Sequence, residues 1–131
     1  LLRGASRLLP SAVRAPSGAG PVSDDDSRRL DLARQIAVTQ HSPPPLIGEI
    51  ARRIGMSETK LKRAFKLRFG STIFEMSLDA RMRHALDLLR CKHMPVSRVA
   101  VAVGYSHQTS FASAFKKHYG MLPRAARQDE G

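Results

Sequence analysis

Two stretches of this chain carry nearly the same phrase. Residues 55–70 read GMSETKLKRAFKLRFG, and residues 104–120 read GYSHQTSFASAFKKHYG. Phe65, Lys66, Phe69 and Gly70 return 50 positions later as Phe115, Lys116, Tyr119 and Gly120. A unit that recurs within 131 residues restricts the architecture severely. Whatever the first copy folds into, the second must too, and a connector must hold both. The apolar positions in each copy step at helical intervals, so the repeated unit is helical.

Each copy reads as a short helix, a glycine turn and a second, capped helix. In the first, Leu46, Ile47, Ile50, Ala51 and Ile54 share one helical face. Gly55 then reverses the chain, because glycine tolerates positive φ, and Ser57 caps the next helix through its hydroxyl. Leu61, Ala64, Phe65 and Phe69 point inward, Lys60, Lys62, Arg63, Lys66 and Arg68 lie around the rest, and Gly70 ends the helix. In the second copy, Val96, Val99, Ala100 and Val103 form the face, Gly104 turns, Ser106 is the expected cap, and Phe111, Ala114 and Phe115 anchor the helix that Gly120 ends. A small residue, Ala51 or Ala100, stands where the two helices of each pair must approach. This is the helix-turn-helix arrangement, over about residues 46–70 and 95–120.

Between the copies, Thr72 and Glu75 form a capping-box pattern that opens a longer helix over about residues 72–90. Phe74, Leu78, Met82, Ala85 and Leu89 give its expected apolar seam, and Pro95 marks the break beyond it. From about Ile73 to Leu89, at 1.5 Å per residue, this connector is on the order of 26 Å long, against about 34 Å for one turn of B-DNA. A first helix is expected after Ser23, with Asp24, Asp25 and Asp26 in the turn where the helix dipole favours acids. Leu30, Ala33, Ile36 and Ala37 form its stripe, and Pro43, Pro44 and Pro45 stop it. The folded unit is then one all-α domain over residues 24–127. Residues 1–23, rich in Arg, Ala, Ser, Gly and Pro without an acid, read as a linker or tail, with a transit peptide as the alternative. Pro123 prevents simple continuation of the last helix, and residues 128–131 are expected to fray. The chain does not begin with Met, which leads us to expect a fragment whose sensing domain lies upstream.

Charge narrows the function. Lys and Arg number 22 against 11 Asp and Glu, a formal excess of +11. An excess of that size calls for an anionic partner, nucleic acid first and an acidic membrane surface second. The single Cys91 excludes an internal disulfide framework, and with His93 it completes no metal-ligand set. No nucleophile–base–acid set and no glycine-rich phosphate loop stands in the chain, so the sequence calls for no enzyme activity and no cofactor. Asp79 and Asp87 read as salt-bridge partners on a basic helix.

The whole pattern resembles the C-terminal double helix-turn-helix domain of the AraC/XylS family of bacterial transcription regulators. The resemblance rests on IARRIGMS with LKRAFKLRFG, on RMRHALDLL, and on VAVAVGYS with FASAFKKHYG and the trailing Pro123. It covers roughly residues 27–127. It implies about seven helices and binding to double-stranded promoter DNA. It further implies contact with RNA polymerase, often as an activator, and a cytoplasmic, nucleoid-associated location. Effector and dimer contacts are expected on a missing N-terminal domain.

Matching positions place the base-contact candidates at Thr59, Lys62 and Arg63 in the first reader, and at Gln108, Thr109, Ala112 and Ser113 in the second. Arg63 offers a fork to guanine, Gln108 a pair to adenine, and Thr109 and Ala112 methyl contact to thymine. Many members carry Arg where Ser113 stands, which weakens the second reader. Phosphate-contact candidates are Ser57, Lys60, Lys66, Ser106, His107, Lys116 and Lys117, the two serines through the helix N-termini they begin. A general nucleic-acid or protein-interaction module remains the alternative; it predicts similar affinity for any duplex.

Overall fold

Ser23 caps the first described helix by accepting a hydrogen bond from the Asp26 backbone N–H at 3.0 Å. The computed structural model describes residues 23–128, so the expectations for residues 1–22 and 129–131 lie outside the described residues. Among the described residues seven helices follow: α1 (Asp24–Thr39), α2 (Ile47–Ile54), α3 (Glu58–Phe69), α4 (Ile73–Arg90), α5 (Val96–Ala102), α6 (Gln108–Tyr119) and α7 (Pro123–Gln128). No strand occurs among the described residues, and no helix is long and apolar enough to cross a membrane.

The helices build two cores. Leu30, Ala33, Ile36 and Ala37 of α1 pack with Ile50, Ala51 and Ile54 of α2 and with Leu61 and Phe65 of α3. The second core gathers Val99, Ala100 and Val103 with Phe111 and Phe115 of α6 and Ala126 of α7. α4 enters both, giving Ile73 to the first and Met82, Ala85 and Leu89 to the second. Its start is the expected capping box: the Glu75 N–H donates to Thr72 Oγ1 at 3.0 Å, and the Thr72 N–H donates to Glu75 Oε1 at 2.9 Å.

Two expectations need correction. Phe74 is not part of the seam of α4; its side chain is 68% exposed. The buried row in the first half of α4 is Ile73, Ser77 and Arg81. Two of these three are polar, so a count of apolar residues selects the neighbouring row instead. Ser106 does not cap α6. The N-cap is His107, which makes no side-chain cap bond. Gly55 and Gly104 stand 49 apart, whereas Phe65 and Phe115 stand 50 apart, so the second turn holds one extra residue. Ser57, by contrast, accepts from the Lys60 N–H at 3.2 Å. Pro123 does more than end a helix. It is the first residue of α7, a position where its missing N–H costs nothing.

The two halves are seamed together. Gly104 has φ +91°, and a Cβ placed there would collide with the His41 carbonyl oxygen and lie 2.8 Å from Pro44 Cδ. The loop after α1 therefore rests directly on the second turn. His41 stacks on His84 of α4 with ring centroids 4.6 Å apart. Arg81 reaches from α4 to donate to the Val103 carbonyl at 3.4 Å, with its guanidinium over the Tyr105 ring. At the other end of α4, Arg127 of α7 donates from Nη2 to the His93 carbonyl at 2.7 Å and from Nε to the Met94 carbonyl at 3.1 Å, pinning the α4–α5 joint.

Candidate nucleic-acid interface

In α3, Leu61 and Phe65 turn into the core. Helical geometry then leaves residues 59, 62, 63 and 66 as neighbours on another side. Thr59, Lys62, Arg63 and Lys66 are all exposed. α6 repeats the layout. Phe111 and Phe115 are buried, Gln108, Thr109, Ser113 and Lys116 are exposed, and Ala112 is half-buried. Phe69 is half-buried rather than free for stacking, and packs its ring on Phe65 at 4.7 Å. The expected candidates thus form two matched stripes, Thr59-Lys62-Arg63-Lys66 and Thr109-Ala112-Ser113-Lys116.

The stripes differ in chemistry. The first carries three cations, the second one. Among the described residues no carboxylate pairs with Lys62 or Arg63, nor with Lys116 or Lys117, so their charges face solvent. Lys60 pairs with Asp26 at 3.1 Å, and Lys66 stands 3.9 Å from Glu75. Arg68 is tied to Asp31 at 2.8 Å and to Ser27 at 3.2 Å, which holds α3 against α1. Exposed pairs of this kind contribute little to stability and exchange readily for a phosphate. Ser57 spends its hydroxyl on the cap, whereas Ser106 and His107 are exposed. The acid Asp79 pairs with Arg83 at 2.9 Å and with His118 at 3.2 Å, as a structural acid would. Cys91 is an exposed residue at the end of α4. Among the described residues no group of three or more His, Cys, Asp and Glu is arranged to hold a metal ion.

Three titratable groups are displaced from their ordinary values. The capping hydrogen bond from Thr72, followed by the charge of Lys66, lowers Glu75. Burial, then the charges of His84 and Arg81, lowers His41. Burial, then the Asp79 charge, raises Tyr119.

A helix-turn-helix domain family matches residues 50–129, more than half of the chain. The chain belongs to the AraC-type helix-turn-helix family. Members of this family are transcription regulators. One relative, the transcriptional regulator YdeO of Escherichia coli, is 31% identical over 96 residues, which span 73% of this chain but 37% of that protein. The chain thus covers little more than a third of that longer relative. The C-terminal domain of AraT, a response regulator from Geobacillus stearothermophilus, superposes with a TM-score of 0.74 at 28% identity, over 82% of this chain and 87% of that one. The DNA-binding domain of AdpA has the same fold, with a TM-score of 0.71 at 23% identity over 77% of this chain and 91% of that one.

Sequence reasoning missed the seam between the halves. His41, His84 and Arg81 carry it, and none belongs to a repeated phrase. A buried Arg on an otherwise amphipathic helix has no periodic signal. Only the polar interruption of the Ile73 row, at Ser77 and Arg81, marks it.

Proposed function

We propose that residues 24–127 are the DNA-reading domain of a bacterial transcription regulator, with α3 and α6 entering successive major-groove segments of one promoter site. The observation that carries this reading is the matched pair of outward stripes. Each copy buries its aromatic pair and offers the same register positions to a partner. The AdpA domain was solved in complex with a target DNA, and the shared fold supports the same use here. α4 is about 27 Å long at 1.5 Å per residue, slightly under the ~34 Å of one duplex turn, so modest bending of the DNA brings both helices into register.

The stripes divide the labour. Lys62 and Arg63 read guanine or adjacent phosphate, while Gln108, Thr109 and Ala112 suit adenine and thymine, and Ser113 adds a weak polar contact. Thr59 borders the first reading surface. Lys60, Lys66, Lys116, Lys117 and His107, with the helix starts at Ser57 and Ser106, hold the backbone. The role is binding and positioning, without catalysis or cofactor. RNA polymerase is the expected protein partner, in the bacterial cytoplasm, and effector or dimer contacts belong to the part of the regulator outside this chain.

Selection of bound duplexes from a random library, at a stated salt concentration, tests the proposal. It predicts one asymmetric, two-segment site bound at least ~10³-fold tighter than arbitrary DNA. Equal affinity for all duplexes would replace it with a general nucleic-acid module.

A further inference from the structure

A groove of about 600 Å³ opens between the loop after α1, the reading helix α3 and the start of α4. That volume lies within the range of small-molecule sites. Its walls are apolar, and two of them, Leu46 and Phe74, are large side chains left 70% and 68% exposed. Two buried polar residues also line it: Ser77, 3% exposed, and Arg81, 5% exposed. Both are under-satisfied, since Ser77 Oγ and Arg81 Nε have no hydrogen-bond partner.

Arg81 is the anomaly. A buried guanidinium normally faces a carboxylate, because an unpaired charge in a poorly hydrated site is costly. Among the described residues Arg81 has none. Its contacts are one long bond to the Val103 carbonyl and the face of Tyr105. The titratable neighbours that act on this cluster are His41 and His84, both basic. The remaining charged residue of the groove is Lys62, exposed on α3. The groove is thus an apolar slot with two cations and no anion.

We propose that this groove binds a small apolar carboxylate. The hydrocarbon body lies against Leu46, Ile73 and Phe74. The carboxylate satisfies Arg81, with the Ser77 hydroxyl turned toward it by rotation about χ1, and Lys62 at the lip adds its charge. Because Lys62 is also a base-contact candidate, the site shares a residue with the DNA-reading stripe. Ligand and duplex then compete for one charge, and by linkage each weakens the other. This coupling rests on the proposed DNA reading; the binding site itself does not.

The chain has no Trp and two Tyr, so a fluorescent probe reports binding cleanly. We would titrate 2-naphthoate, with the neutral 2-naphthalenemethanol and the cationic 2-naphthylmethylammonium as controls, and map amide shifts by NMR. The expected result is saturable binding of the carboxylate, at least about tenfold tighter than either control. Shifts should be confined to Leu46, Ile47, Lys62 and residues 72–81. Phe74→Ala, at an exposed position that does not threaten folding, should weaken binding about tenfold. Ser77→Leu should block it. Equal binding of all three probes, or shifts scattered over the surface, would overturn the site. For the coupling, saturating naphthoate should weaken specific DNA binding roughly fivefold or more in the parent and not in Phe74→Ala. An unchanged DNA affinity at saturation removes the coupling and leaves the site. Absence of specific DNA binding in any condition removes the DNA reading instead.

Discussion

Arg63 and Ser113 stand at the same register position of α3 and α6, and they set different expectations for the two readers. A guanidinium can fork onto guanine, whereas a serine hydroxyl accepts or donates one bond to almost any base. Arg63→Ala is therefore expected to cost about 1–3 kcal/mol on the selected site and to relax preference at one base position. Equal loss on every sequence would assign Arg63 to the backbone. Lys116→Ala is the opposite case. It should weaken all sequences alike and reduce the slope of log affinity against log salt by about one unit. Titrations across a salt series separate the two. The outward stripes of α3 and α6 were legible in the sequence because they fall between aromatic anchors whose spacing is helical. Ser106 was misread for a related reason. Pattern matching aligned the two glycines, while the extra residue of the second turn moved the cap to His107.

At the scale of elements, caps and joints carry the measurable energies. Thr72 closes a reciprocal box with Glu75. Thr72→Ala should destabilise the domain by about 1 kcal/mol in urea unfolding. Ser106→Ala, which removes no cap, should stay within about 0.5 kcal/mol of the parent. The His41–His84 stack gives a pH signature. Burial, with the charges of His84 and Arg81, holds His41 below its ordinary 6.5. The unfolded chain then binds the proton more readily than the folded one. The resulting stability is present above pH 6.5 and is lost as pH falls through the lowered folded value. Urea midpoints measured between pH 7.5 and 5 should fall in the parent and fall less in His41→Gln. The helices themselves were readable from period and punctuation. The burial phase of α4 was not, because Ser77 and Arg81 interrupt its buried row. The seam made by His41 and Gly104 was hidden too, since it joins residues far apart in the chain with no shared pattern.

Across the whole molecule, α4 sets the relation between α3 and α6. Inserting one alanine between Asp79 and Ala80 would turn the second half by about 100° and shift it by about 1.5 Å. It would also break the seam at His84 and Gly104. Footprinting of that variant should show the two-segment site reduced to separate weak contacts, and an intact footprint would mean that the halves do not read DNA together. Because Ile73 lines one core while Met82, Ala85 and Leu89 line the other, neither half keeps all its walls if α4 melts. On the proposed DNA reading, mutation can therefore respell either half of the recognised word one letter at a time. The gap between the syllables is inherited whole, written in a single rod that cannot be lengthened by one residue without being twisted.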